Sequence, residues 1–272
     1  MRLIAMDLDG TLLHTDCSIS DYSKEMIEKA AQKGIMIVPT SGRSFRSVKE
    51  QLKGIRGIRY CISANGSILT DMHTEEILYN EKIDPDLTYQ VYKEAGEIGA
   101  FLEMYCDNDA YVEKKQEHLL YETGLDQGYC DNLLATDIKG LSFELLLRRR
   151  IMAINKYHVA FVDQEKKRKF AEKFAENEKL MVTFPSSFNL EIFPGGCNKD
   201  RGIRLLCQKF NIPRENTIAI GDSNNDISMI EYAHVGIAVD NAIDSLKAKA
   251  DYVTKSNDED GPAIVLEKIL NQ

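Results

Sequence analysis

Short apolar runs that end abruptly in polar residues constrain the fold of this chain more than any other feature. The runs at 2–6, 35–38, 58–62 and 217–220 are nearly continuous, and segments with helical spacing separate the first three. Strands of this kind are buried on both faces, which is typical of a parallel sheet covered by helices. The pattern therefore predicts an α/β fold with a doubly wound parallel-sheet core.

The middle of the chain follows another pattern. From about 84 the sequence predicts helices near 86–98 and 163–176 and strands near 101–106, 109–113, 157–162, 180–184 and 189–193. This segment is too long for a loop, since loops beyond about 15 residues are uncommon. We interpret 84–188 as an inserted α+β cap domain, with 1–83 and 189–272 forming the two parts of the core.

Composition excludes several classes of partner. The net charge of −9 opposes a phosphate backbone, so nucleic acid is not expected to bind. The apolar runs are far shorter than the ~20 residues of a membrane span, and no secretory leader is expected. The six cysteines form no CxxC pair, and a reducing cytoplasm fits them best.

Polar residues follow four of the predicted strands where each strand ends: Asp7, Ser41-Gly42-Arg43, Ser63–Gly66 and Gly221-Asp222. In an open α/β sheet, ligands bind at the carboxyl ends of the strands. A single Asp or Ser after a strand can simply cap the next helix. Four such ends at one edge of a sheet favour a shared site over capping alone.

Asp7 and Asp9 flank Leu8 and are followed by Gly10, which lets the chain turn away. Two carboxylates two residues apart on an extended segment point the same way. Such a pair suits a hard cation and acid/base chemistry. The alternative is an Asx-turn without chemistry.

Asp222 and Asp226 are four residues apart and would share a face at a helix start, where a merely charged first turn is the alternative. Clustered carboxylates repel one another unless a cation neutralises them, and all-oxygen ligands favour magnesium over zinc. Lys199 opens a predicted helix, where the helix dipole disfavours a cation. A nearby phosphate would explain this lysine, and a surface position is the alternative.

Together these residues resemble the haloacid dehalogenase (HAD) superfamily. Asp7–Thr11 is similar to its first motif, DxDGT, Ser41–Arg43 to the second, Lys199 to the third and Gly221–Asp226 to the fourth, GDxxND. Asn65-Gly66 and the place of the insertion resemble the Cof-type branch, which has an α+β type IIB cap. Ser41 replaces the usual threonine of that branch. Asp200 stands where glycine commonly follows the lysine, and it would either weaken the electrostatic role of Lys199 or simply favour the start of the helix.

The resemblance implies a Mg²⁺-dependent phosphatase acting on small-molecule phosphate monoesters, either sugar phosphates or phosphorylated cofactors. Asp7 would be the nucleophile that forms an aspartyl-phosphate, and Asp9 the general acid/base. The implied metal site comprises Asp7, Asp9 through its backbone carbonyl, Asp222 and Asp226, of which Asp226 would orient a water ligand or Lys199. The implied phosphate site comprises Ser41, Gly42, Lys199 and Asn225.

Two alternatives use the same residues. A phosphomutase would retain and reorient a bisphosphate intermediate, and a sugar bisphosphate activator would reveal it. A non-catalytic phosphometabolite sensor on the same fold is the second alternative, because fold alone does not determine function. The presence of Asp7, Asp9, Ser41, Lys199 and Asp222 together argues against the sensor. The sequence indicates neither the substrate nor an oligomeric state.

Overall fold

The computed structural model describes all 272 residues, which divide into two compact units. The first unit comprises Met1–Arg43, Val48–Tyr79 and Asn198–Gln272. The second comprises Ser44–Ser47 and Asn80–Cys197. No helix is both long enough and apolar enough to cross a membrane.

The strands, in chain order, are β1 (Arg2–Met6), β2 (Ile35–Pro39), β3 (Tyr60–Ser63), β4 (Ile68–Asp71), β5 (Ile77–Asn80), β6 (Phe101–Cys106), β7 (Asp109–Glu113), β8 (Ile138–Gly140), β9 (Lys156–Ala160), β10 (Leu180–Thr183), β11 (Asn189–Pro194), β12 (Thr217–Gly221), β13 (Val235–Ala238) and β14 (Tyr252–Val253). The helices are α1 (Asp21–Gln32), α2 (Phe45–Gln51), α3 (Pro85–Ile98), α4 (Glu117–Glu122), α5 (Gln127–Thr136), α6 (Glu144–Arg148), α7 (Gln164–Ala175), α8 (Lys199–Phe210), α9 (Ile227–Tyr232), α10 (Asp244–Lys247) and α11 (Gly261–Leu270).

A parallel sheet of five strands organises the first unit, in the order β14-β13-β12-β1-β2. Strand β1 lies between β12 and β2, and Leu3–Met6 in it are fully buried, as its continuous apolar sequence predicted. The chain leaves β1 toward β2 on one side and later returns to β12 on the other. The strand order therefore reverses at β1, and such a reversal opens a crevice at the carboxyl ends of the strands.

The third apolar run forms a strand but mostly leaves the parallel sheet. β3 pairs antiparallel with β4, and these two with β5 make a separate three-stranded sheet. The physical reason is the turn at Asn65-Gly66, where φ values of 55° and 93° reverse the chain. One parallel bridge, Thr40 to Ile62, still joins β3 to the end of β2.

The second unit is an α+β structure with a six-stranded sheet in the order β10-β11-β9-β6-β7-β8. Its neighbouring strands are antiparallel except for β7 and β8. One face of the sheet packs against α3, α6 and α7 in the larger apolar cluster, which includes Val91, Leu147 and Phe170. The other face carries a smaller cluster with Leu120 from α4 and Leu134 from α5.

The second unit is longer than the predicted insertion of 84–188. It begins at Asn80 and ends at Cys197, and it includes Ser44–Ser47. The expectation that the core resumes at 189 was wrong, because β11 pairs antiparallel with β9 and β10 in the second sheet. Its apolar sequence is that of a buried strand in either sheet, and only the pairing partner distinguishes the two.

Candidate active site

Asp7 and Asp222 lie at the ends of neighbouring parallel strands. β1 and β12 are in register with Met6 opposite Ile220, and the Asp7 N–H donates to the Ile220 carbonyl at 3.0 Å. The chain therefore delivers Asp7 after β1 and Asp222 after β12 at one edge of the sheet. Asp7 is buried there, with 4% of its surface exposed.

The turn after Asp7 is shaped around Asp222. Gly10 has a φ of +74°, and a Cβ at this position would lie 2.7 Å from Asp222 Oδ2. The buried Thr11 donates its hydroxyl to Asp222 Oδ1 at 2.7 Å. Gly10 thus makes room for the carboxylate and Thr11 orients it, a role that the sequence analysis did not assign.

Three acidic side chains converge in this region. Asp7, Asp222 and Asp226 each place a carboxylate oxygen within 4.8 Å of the others. Burial raises the pKa of Asp7 well above its usual range, and the charge of Asp226 raises it further. Burial and the same neighbour raise the pKa of Asp222 to about 6. The three carboxylates therefore need a positive charge to neutralise them. A divalent cation with oxygen ligands would supply that charge.

Lys199 is the cation inside this cluster. It is the first residue of α8 and is 1% exposed, so the structure places it in the site and not on the surface. Its Nζ donates to Asp7 Oδ1 at 2.7 Å and to Asp226 Oδ1 at 2.6 Å. Burial lowers the lysine pKa, but Asp226 and Asp7 outweigh burial and hold it above its usual value. Lys199 therefore remains charged.

Asp226 is fully engaged with protein donors. Its Oδ1 accepts from Lys199, and its Oδ2 accepts from the N–H groups of Asp222 and Ser223 at 3.0 Å each. A carboxylate bound in this way orients its neighbours, which favours the second of the two roles implied for it, namely holding Lys199.

Ser41 and Gly42 follow β2, the other neighbour of β1. Ser41 is fully buried, and its N–H donates to the Ile62 carbonyl at 2.9 Å. The Ser41 hydroxyl accepts from the Arg43 N–H at 3.1 Å. The segment is thus held between the ends of β2 and β3.

Arg43 forms a forked ion pair with Asp9. Its Nε donates to Asp9 Oδ2 at 2.8 Å and its Nη2 to Asp9 Oδ1 at 2.6 Å. The Asp9 side chain is 49% exposed, in contrast to buried Asp7. The two carboxylates of the first motif therefore differ in burial and in their partners.

Asn65 and Gly66, which follow β3, lie close to the start of α8. A Cβ on Gly66 would lie 2.1 Å from the Asn198 carbonyl oxygen, so the glycine permits a close approach next to Lys199. Asn225 Nδ2 donates to Asn65 Oδ1 at 3.4 Å, and Asn225 Oδ1 accepts from the Ser223 hydroxyl at 2.7 Å. Asn225, a residue of the fourth motif, thus contacts the Asn65-Gly66 turn.

Asp200 is directed along α8. Its Oδ2 accepts from Arg204 Nε at 2.7 Å, one helical turn further on. The carboxylate is therefore paired with Arg204, while the Lys199 ammonium contacts Asp7 and Asp226. The departure from the usual glycine does not remove the lysine from the site.

Comparison with known proteins gives a family match over most of the chain. The model of a family described as haloacid dehalogenase-like hydrolase matches residues 4–266. The chain is 28% identical over 270 residues to the 5-amino-6-(5-phospho-D-ribitylamino)uracil phosphatase YcsE of Bacillus subtilis (strain 168), covering 97% of this chain and 93% of that protein. It is 29% identical over 286 residues to a second 5-amino-6-(5-phospho-D-ribitylamino)uracil phosphatase of B. subtilis (strain 168), YwtE. That match covers 100% of this chain and 99% of YwtE.

A solved structure agrees with the fold. The structure of a haloacid dehalogenase-like hydrolase from B. subtilis superposes with a TM-score of 0.85 at 27% identity. The superposition covers 98% of this chain and 99% of that chain, so both units of the fold are included.

Proposed function

Because the chain belongs to the haloacid dehalogenase-like hydrolase family, we propose that it is a Mg²⁺-dependent phosphatase that hydrolyses small phosphate monoesters through an aspartyl-phosphate on Asp7. The observation that carries the proposal is the buried cluster in which Lys199 bridges Asp7 and Asp226 beside Asp222. It combines a nucleophile with the charges that a phosphoryl group and a metal require.

Asp7 is the proposed nucleophile. Its Oδ1 accepts from Lys199, and its other carboxylate oxygen, Oδ2, would attack phosphorus. The new Asp7 O–P bond forms as the bond to the leaving alcohol breaks, and water then cleaves the aspartyl-phosphate to inorganic phosphate. A covalent carboxylate intermediate divides one difficult displacement into two easier ones.

Asp7, Asp222 and the backbone carbonyl of Asp9 are the residues that would hold Mg²⁺, with Asp226 acting through Lys199 and the Asp222 backbone. The ion would supply charge neutralisation for the phosphoryl oxygens. Ser41, the Gly42 amide, Lys199 and Asn225 would bind those oxygens. Preorganised charges and donors of this kind carry most of the catalysis in phosphoryl transfer.

Asp9 is the proposed general acid/base. It would protonate the leaving oxygen and then take a proton from the attacking water. Both of its carboxylate oxygens accept from Arg43 in this structure. Asp9 must therefore exchange at least one of these bonds for a bond to the substrate before it acts.

The second unit is the proposed cap, and it would select the leaving group. Two relatives at 28% and 29% identity are named as phosphatases of 5-amino-6-(5-phospho-D-ribitylamino)uracil, a ribityl phosphate attached to a pyrimidine. We extend to this chain the general class, small phosphorylated metabolites that include sugar phosphates and cofactor precursors. Its six unbridged cysteines support a reducing compartment, the cytoplasm.

The test is a screen of the purified protein against phosphorylated metabolites, including 5-amino-6-(5-phospho-D-ribitylamino)uracil, with Mg²⁺, with EDTA and with Ca²⁺. We expect phosphate release that requires Mg²⁺ and is inhibited by Ca²⁺, whose larger and more flexible shell relaxes octahedral geometry. Asp7→Asn is the matched control for contaminating phosphatases. Full activity after exhaustive chelation would contradict the role of the metal.

A further inference from the structure

The turn that follows Asp7 is tied to two asparagines from the far end of the chain. Asn241 Nδ2 donates to the Gly10 carbonyl at 2.7 Å, and Asn257 Nδ2 donates to the Leu13 carbonyl at 2.9 Å. The Asn257 N–H in turn donates to Asn241 Oδ1 at 2.9 Å. The two asparagines therefore form one hydrogen-bonded path that spans the turn from Gly10 to Leu13.

The orientation of the Asn241 amide follows from its partners. On one side it faces the Gly10 carbonyl, which only accepts, and on the other the Asn257 N–H, which only donates. Only one orientation of the amide satisfies both partners. Asn241 is thus matched to these two groups by chemistry as well as by distance.

Gly10 needs such an external restraint. Its position excludes a side chain, because a Cβ would lie 2.7 Å from Asp222 Oδ2. Glycine, however, has the least intrinsic preference of any residue for one backbone conformation. The conformation at +74° must therefore be held from outside, and a hydrogen bond to the Gly10 carbonyl does so directly.

Both neighbours of Gly10 depend on this conformation. The preceding peptide carries the Asp9 carbonyl, a proposed metal ligand, and the following residue, Thr11, orients Asp222 through its hydroxyl. A change of backbone conformation at Gly10 would move both groups together. The restraint at Gly10 therefore acts on the metal site through the backbone.

We propose that Asn241 and Asn257 are positioning residues that hold the Gly10 turn in its catalytic conformation and thereby set the affinity of the Asp7–Asp222 site for Mg²⁺. The inference rests on the proposed function for its effect on turnover. Its effect on Mg²⁺ binding is a property of the folded chain and is measurable without a substrate.

A neighbouring contact supplies a matched control. Asp258, the residue after Asn257, accepts from the N–H and the hydroxyl of Thr15 at 2.8 Å each. It restrains the same loop further along the chain and does not contact Gly10. Asn241→Leu and Asp258→Leu each remove two hydrogen bonds from exposed side chains of similar shape.

The test compares the two variants with the wild type by calorimetric titration of Mg²⁺, by kcat and KM for p-nitrophenyl phosphate, and by Tm. We expect Asn241→Leu to weaken Mg²⁺ binding roughly tenfold and to lower kcat by a similar factor, the size of one lost hydrogen bond, with KM within about twofold. Both variants should lower Tm by a similar amount, because each loses two hydrogen bonds. Asp258→Leu should leave the Mg²⁺ affinity and kcat unchanged.

The proposal is overturned if Asn241→Leu binds Mg²⁺ as the wild type does, or if Asp258→Leu weakens Mg²⁺ binding equally. Asn241→Ser keeps a donor with shorter reach and serves as a second variant if the leucine variant does not fold, with an intermediate affinity expected. If the wild type hydrolyses no phosphate ester, the proposed function fails, and the Mg²⁺ titrations still decide the role of the asparagines.

Discussion

The two carboxylates of the first motif differ in their partners, and this difference separates their proposed roles. Asp7 is buried against Lys199, whereas Asp9 is half-exposed and paired with Arg43. A buried, lysine-held carboxylate suits a nucleophile. A half-exposed carboxylate that is paired with the long side chain of Arg43 suits a group that must move between two positions.

Asp9→Asn should lower the rate by roughly 10²–10⁴, the usual contribution of a general acid/base. The loss should be larger for alkyl phosphates than for p-nitrophenyl phosphate, because the nitrophenolate leaves without needing a proton. Steady-state kinetics on both ester types measures the difference. Equal losses for the two would argue against protonation of the leaving group by Asp9.

At this scale the sequence predicted which residues meet but not how they bond. Asp7 and Asp222 meet because they follow neighbouring parallel strands, whereas Lys199 reaches Asp7 from the start of α8, which strand order does not determine. The Arg43 fork on Asp9 was not predicted. It joins two residues that are 34 positions apart, and no spacing in the sequence encodes such a contact.

Among the helices and strands, a segment with a clear period of apolar residues has bounds close to those predicted. α3 lies within a residue of its expected bounds, since Asp84 caps it, Pro85 begins it and Gly99 ends it with a φ of 68°. Between β7 and β9 the sequence predicts only a helical or irregular stretch. The helices α4 and α6 in this stretch are short, and α5 buries only Cys130 and Leu134. The sequence there therefore has no clear helical period of apolar residues.

The junction between α5 and β8 contains Asp137, which lacks a partner for its buried Oδ2. Burial, together with the charge of Glu103, raises the pKa of Asp137 to about 9. The folded chain therefore keeps a proton that the unfolded chain releases near its ordinary value of 3.8. Folding stability from this residue is complete below the unfolded pKa and is lost as pH rises through the folded one.

Asp137→Asn should remove this titration while preserving shape. We expect the Tm of the variant to match that of the wild type near the acid end of the range and to exceed it increasingly up to about pH 9. Thermal denaturation across that pH range is the measurement. A Tm difference that stays constant with pH would show that Asp137 is not protonated in the folded protein.

For the molecule as a whole, the sequence predicted two units and the class of each, and it misplaced one boundary because β11 could pair in either sheet. The second unit has its own sheet and its own apolar core, which are features of an independently folded domain. All residues of the proposed chemistry lie in the first unit, which supports the proposal that the second serves selection of the substrate and not the chemical step.

Replacing 80–197 with a glycine-serine bridge should separate selectivity from chemistry. If circular dichroism shows that the remaining core folds, we expect acetyl phosphate to be hydrolysed in part. Discrimination among phosphorylated metabolites should collapse, because binding energy remote from the reacting bond distinguishes one substrate from another. A capless protein with an unchanged order of preference would place selectivity in the first unit.

The covalent role of Asp7 is the central claim, and chemical trapping tests it most directly. The protein is mixed with substrate and Mg²⁺, quenched in acid and treated with borohydride, which reduces an aspartyl-phosphate to homoserine, and the peptides are then mapped by mass spectrometry. We expect homoserine at position 7 in the wild type and in Asp9→Asn, and none in Asp7→Asn. Homoserine at another aspartate, or sustained turnover by Asp7→Asn, would contradict it.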